Sequence, residues 1–249
     1  MILVKTQEEL AVMREAGRIV AITLAKLSEM AEPGVSTADL DAVAEQTIRQ
    51  YGAIPSFKGY GGFPGSLCAS INEEVVHGIP SVDRVLSEGD IISLDVGAIF
   101  NGWQGDAAVT LPVGKPSRVA QRLISVTSEA LRRGIAKARR GRHLSDISWA
   151  IQSYVESKGF SVVRQYVGHG IGRNMHEEPQ IPNFGPPGIG PILQPGMTLA
   201  IEPMVNVGTH RTRVLQDKWT VVTEDRQLSA HFEHTVAVTE GDPLILTAL

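Results

Sequence analysis

The spacing of apolar positions predicts four helices and several strand-like runs. Apolar residues recur at helical intervals from Thr6 to about Met30, and Thr6-Gln7-Glu8-Glu9 reads as a capping box at the start. Gly34 breaks this run. A second helix is expected over 36–51, capped by Ser36 or Thr37, with Leu40, Val43, Ala44, Thr47 and Ile48 on its apolar side and Gly52 at its end. A Gly- and Pro-rich loop over 58–66 leads into strands. The pattern then recurs. A helix is expected from about Ser117 to Arg140, broken by Gly141, and another carries Ile147, Ala150, Ile151, Tyr154 and Val155 before Gly159.

The recurrence keeps one offset. Gly34 and Gly141, Asp39 and Asp146, Gly52 and Gly159, Gly89 and Gly196, and Asp95 and Glu202 all lie 107 residues apart. Two such units, neither with a full core of its own, are expected to pack on a shared seam. The reading is two helix–helix–sheet halves, about 1–115 and 116–249, related by a pseudo-twofold axis within one domain over 1–249.

Acids interrupt the strand runs. Asp95 sits between Ile91-Ile92-Ser93-Leu94 and Val96-Gly97-Ala98-Ile99, and Asp106 precedes Ala107-Ala108-Val109. A buried carboxylate must be paired, bind a metal or give up its charge. Asn101-Gly102 is a strong two-residue hairpin signal. With those residues as the loop, Asp106 falls opposite Gly97, and Asp95 and Asp106 become diagonal neighbours on one face, roughly 7–8 Å apart at the backbone. Glu202 follows Thr198-Leu199-Ala200-Ile201, Glu233 interrupts the run 231–238, and His169 stands among glycines in Gly168-His169-Gly170-Ile171-Gly172. Four carboxylates and one imidazole suit a pair of divalent ions such as Mn²⁺, Fe²⁺, Co²⁺ or Zn²⁺. Taken singly, each acid reads equally as half of a salt bridge or as a strand-end turn residue.

Composition narrows the class. The chain has 249 residues, 43% hydrophobic and 20% charged, as in ordinary globular proteins. No apolar stretch is long enough to cross a bilayer, and the N-terminus lacks the features of a secretory signal. A single cysteine, Cys68, rules out an intramolecular disulfide and a thiolate metal site, so the expected compartment is the cytoplasm. The net charge of −4 argues against a general nucleic-acid binder. The local exception is 131–142, with six basic residues and no acid; it reads as a solvated helix face or as a contact for RNA.

The ordered motifs Ser70-Ile71-Asn72-Glu73-Glu74-Val75-Val76-His77-Gly78-Ile79-Pro80, Leu94-Asp95-Val96-Gly97, Gly105-Asp106, Gly168-His169-Gly170-Ile171-Gly172, His176-Glu177-Glu178-Pro179, Ala200-Ile201-Glu202-Pro203-Met204 and Phe232-Glu233-His234-Thr235 resemble those of the type I methionine aminopeptidases. The resemblance covers nearly the whole chain. It implies the α/β (α+β) pita-bread fold, with the two halves around a central antiparallel sheet. It implies that Asp95 binds one ion through both oxygens, that Asp106 and Glu233 bridge two ions, and that His169 and Glu202 bind the other. It makes His77 and His176 substrate-facing and, with Glu202, catalytic. Tyr60, Phe63, Cys68 and Trp219 match positions lining a methionine side-chain pocket, and Met175 stands where relatives carry a bulky aromatic. Asn174 and His231 replace a common glycine and glutamine. The backbone near Asn72, Glu74 and Ser229 matches a monovalent-cation site (Na⁺ or K⁺) of some relatives.

The implied reaction is metal-assisted removal of the N-terminal methionine, favouring a small second residue. The expected partners are a nascent polypeptide and a transient ribosome contact through 131–142 or 209–213, with no DNA, no membrane and a monomeric chain. Two other readings compete. A proline-directed relative carries a sizeable extra N-terminal domain, whereas here helix begins at residue 6. A non-catalytic binding protein of the same fold loses ligand positions, which here are all filled.

Overall fold

Three of the four α-helices among the described residues begin where a polar side chain takes a free N–H group of the first turn. In the computed structural model, which describes residues 2–249, α1 spans Gln7–Met30 and α2 Thr37–Gln50. Thr6 with Glu9, and Ser36 with Asp39, exchange side-chain and backbone bonds as capping boxes. α3 spans Arg118–Ile135, with Ser117 accepting from Ala120 N–H, and α4 spans Ser145–Ser157. α3 ends before the expected Arg140. Successive tight turns over 136–139 replace the last helical turn, bury Ala138 and bring Gly141 N–H to Leu193 O at 2.9 Å.

The 107-residue offset extends to individual hydrogen bonds. Gly34 N–H donates to Leu86 O at 2.8 Å and Leu86 N–H to Val35 O at 2.9 Å; their counterparts are Gly141 to Leu193 at 2.9 Å and Leu193 to Arg142 at 2.8 Å. The glycine pairs share left-handed backbone, with φ of 94° and 79° at Gly34 and Gly141, and 92° and 89° at Gly89 and Gly196. Glycine occupies that region without the Cβ clash of other residues.

Among the described residues nine strands form the central sheet: β1 Ile54–Pro55, β2 Leu67–Ile71, β3 Ile91–Phe100, β4 Trp103–Pro112, β5 Gly168–Gly170, β6 Glu177–Ile181, β7 Thr198–Ile201, β8 Glu233–Ala237 and β9 Leu244–Ile245. Their order is β1–β3–β4–β8–β7–β5–β6, with β2 beside β3 and β9 beside β8, and every pairing is antiparallel. The halves meet where β4 pairs with β8. Two three-stranded sheets flank this one: Ser161–Val162, Met204–Asn206 and Ser229–His231 form the first, and Glu74–Val76, Thr212–Val214 and Val221–Thr223 the second.

Strand alternation separates the two faces of the sheet. Ile92, Leu94, Val96 and Ala98 of β3 are buried in one cluster with Ile19 and Val20 of α1 and Leu40, Ala44 and Ile48 of α2. Leu199, Ile201 and Val236 are buried with Leu123 and Ala130 of α3 and Ile147 and Ile151 of α4. The helices thus cover one face. Asp95, Asp106, Glu233 and Ala200 point to the other.

Candidate metal centre

Sheet register assembles the centre from two adjacent rows. Asn101 and Gly102, at φ 48° and 78°, make the tight turn, and Gly97 pairs with Asp106 as the hairpin predicts. In the first row Cys68 pairs with Asp95, Asp95 with Ala108, and Ala108 with Glu233. Ile201 pairs with His234, so the next residue, Glu202, continues the row past the end of β7. In the second row Gly97 pairs with Asp106, while Thr235 pairs with Ala200 and Ala200 with His169. Asp106 and Thr235 join the two parts. Asp106 N–H donates to Thr235 Oγ1 at 3.0 Å, and that hydroxyl donates to Asp106 O at 2.8 Å. Four carboxylates and an imidazole therefore share one face within two rungs.

The group lacks positive charge. Among the described residues, no lysine or arginine pairs with Asp95, Asp106, Glu202 or Glu233; the nitrogen groups beside them are the imidazoles of His169 and His231. Asp95 Oδ1, Asp106 Oδ1 and Glu233 Oε1 are buried without a hydrogen-bond partner. His169 Nδ1 donates to Gly170 O at 2.9 Å, which leaves the Nε2 lone pair facing Glu202 Oε1 at 3.7 Å and Asp106 Oδ2 at 4.0 Å. A lone pair aimed at two carboxylates is an arrangement that a cation between them would satisfy. Ligand atoms of Asp106, His169 and Glu233 lie within 4.8 Å of one another. Burial and mutual repulsion push Asp95 up to about 7, and burial pushes Glu202 up to about 8. Asp106 and Glu233 go up for the same reasons. Burial pulls His169 down to about 4, so its ring is a neutral donor at pH 7. These observations fit divalent cations bound by oxygen plus one nitrogen.

A cleft opens on the acids. Besides the five residues above, it brings together Tyr60, Phe63, Cys68, His77, Met175, His176 and Trp219, each singled out from the sequence. Phe63 and Trp219 meet edge to face at 5.2 Å between ring centres, and His77 faces Trp219 at 6.2 Å. Tyr60 OH lies 2.7 Å from His176 Nδ1, and the His176 ring is centred 4.4 Å from that of His169. Burial lowers His77 to about 4 and lowers His176.

Sequence reasoning passed over Phe57 and gave His231 no role in the site. Phe57 lines the cleft with no periodic signal to mark it, and a Cβ built on Gly97 would meet Phe57 Cε1 and Ser56 Cβ at 2.8 Å and Met175 Cε at 3.0 Å. Gly97 thus lets the pocket wall close over the strand. His231 lies fully buried behind the acids, with Nε2 3.6 Å from Glu202 Oε2 and 3.9 Å from Glu233 Oε2. Its position two residues before Glu233 on the same strand run was the available signal. The basic run 131–142 carries less free charge than its sequence suggests, because Arg132 and Arg133 pair with Glu129, Arg139 with Asp242 and Arg140 with Glu240. No described helix is long and apolar enough to cross a membrane.

A pseudo-twofold sheet with a buried carboxylate–histidine cluster at its seam defines a metallopeptidase of the pita-bread fold. The chain belongs to metallopeptidase family M24, whose model matches residues 11–240. It is 59% identical to a methionine aminopeptidase of Clostridium acetobutylicum and 58% identical to methionine aminopeptidase 1 of Bacillus subtilis, in both cases over 99% of each chain. The crystal structure of a methionine aminopeptidase from Thermotoga maritima superposes with a TM-score of 0.99 at 47% identity, covering 100% of both chains.

Proposed function

We propose that this chain, as one catalytic unit over 1–249, removes the N-terminal methionine from nascent polypeptides and peptides with a small second residue. The observation that carries this reading is the direct opening of an apolar pocket onto the buried acids. Phe57, Tyr60, Phe63, Cys68, Met175 and Trp219 suit an unbranched thioether, and methionine itself is adaptable enough to line such a pocket.

Asp95, Asp106, His169, Glu202 and Glu233 would hold two divalent ions (Co, Mn, Fe or Zn). When bound, such a pair supplies Lewis acidity and lowers the pKa of water so that hydroxide is available near neutral pH. The chain's own groups do the rest. The cleft selects methionine by enclosing its side chain, and the acids and their ions would take the free α-amine, which restricts attack to the first residue. His176 and His77 are neutral at pH 7, so either donates a hydrogen bond to a carbonyl without bringing a charge into the site. With the Tyr60 hydroxyl donating to His176 Nδ1, the His176 proton sits on Nε2, where it can stabilise the developing oxyanion. The Glu202 carboxylate, beside the water the ions would hold, would carry a proton from that water to the leaving amine. A bound Na⁺ or K⁺ near Asn72, Glu74 and Ser229 and a transient ribosome contact belong to the same reading.

The test compares a Met-Ala-Ser peptide with an Ala-Pro peptide at saturating divalent ion. Cleavage of the first alone supports the proposal. Preference for the second assigns the site to a proline-directed peptidase.

A further inference from the structure

His176 and Met175 sit on a short segment whose shape is set by a buried ion pair from a distant part of the chain. Lys5 Nζ lies 2.7 Å from Glu177 Oε2, with the two side chains 3% and 6% exposed. The other oxygen, Oε1, accepts the Asn174 N–H at 3.2 Å, so segment 172–177 turns around this one carboxylate. Gly172 passes so close that a Cβ there would meet Glu177 Oε1 at 2.5 Å and Lys5 Cε at 2.8 Å. Lys5 is itself pinned. Its N–H donates to Gly196 O at 2.8 Å, on the turn that leads into β7 and Glu202.

A buried ion pair is weak evidence for stability, because desolvating both charges offsets their attraction. What this pair does provide is direction. With the segment in this turn the carboxylate satisfies both its oxygens, and the same turn sets Met175 in the pocket wall and His176 beside the His169 ring. We propose that Lys5 is a positioning residue for the substrate-facing segment: through Glu177 it fixes His176 and Met175 against the cleft. The inference rests on the aminopeptidase reading, and a misplacement of about 1 Å at such groups is enough to cost about a hundredfold in rate.

The test uses the full chain with divalent ion at saturation, Met-Ala-Ser as substrate, and temperatures well below each variant's melting point. Lys5→Met should lower kcat/KM by about tenfold or more, with kcat falling as well as KM rising, while the affinity for Mn²⁺ measured by calorimetry stays at the wild-type value. Lys5→Arg, which keeps the charge, should recover most of the loss. The His176 ring resonance, identified by its absence in His176→Asn, should shift in Lys5→Met. Because Lys5→Met strands the Glu177 charge in the interior, Lys5→Met/Glu177→Gln is the second variant; it removes that charge and should still show the kinetic loss. Wild-type kcat and KM in either variant, with only a lower melting temperature, overturns the proposal and leaves a structural staple. Failure of the wild type to cleave Met-Ala-Ser would strike the aminopeptidase reading instead.

Discussion

Asp106 and Thr235 grip each other across the seam between the halves: the Thr235 hydroxyl accepts the Asp106 N–H at 3.0 Å and donates to the Asp106 carbonyl at 2.8 Å. This pair of bonds joins the two rows that carry the acids. Thr235→Val keeps the shape and leaves both Asp106 backbone groups buried without partners. It should lower unfolding free energy by about 2 kcal/mol in urea titrations. An unchanged midpoint would mean that the seam is held elsewhere.

Asp106→Asn separates folding from metal chemistry. A neutral amide relieves repulsion among buried carboxylates, so the metal-free variant should melt at or above the wild-type temperature. Divalent ions should raise its melting temperature far less than they raise that of the wild type. Turnover should fall by about a hundredfold or more. Near-normal activity would remove Asp106 from the set of ligands.

Protons compete with the ions. Asp95 and Glu202, raised to about 7 and about 8, are protonated in the metal-free protein below those values, and an ion must displace the protons. His169, lowered to about 4, is already neutral there. Mn²⁺ affinity should therefore weaken as pH falls from about 8.5 to about 6, by up to about tenfold per pH unit for each displaced proton. Calorimetry in buffers of different ionisation enthalpy reads both the affinity and the protons released. A flat profile would contradict the raised carboxyls.

Gly97→Ala puts a methyl where Phe57, Ser56 and Met175 already crowd at 2.8–3.0 Å. The pocket wall must shift, at a stability cost of about 1–3 kcal/mol. KM for Met-Ala-Ser should rise by about tenfold with Mn²⁺ affinity unchanged. A normal KM would show that this wall does not bound the substrate.

Local signals were readable from the chain alone. The capping boxes at Thr6 and Ser36, the Asn101-Gly102 turn and the resulting Gly97–Asp106 pair each depend on a few neighbouring residues. The offset between Asp95 and Glu202 was also legible, because equivalent backbone turns need equivalent glycines. The pairing of β4 with β8 was not, since register across a seam depends on packing between residues about 130 positions apart. His231 was underweighted for the same reason: its closeness to Glu202 follows from tertiary packing. α3 ends early because Gly141 must reach Leu193, a contact no local pattern announces.

The most direct measurement is a titration of the metal-stripped chain with Mn²⁺, following release of methionine from Met-Ala-Ser against ions bound per chain. The buried acids predict almost no turnover without the ion, then a rise that levels off by two ions per chain. Full turnover by the stripped chain, or none at any loading, would contradict the account.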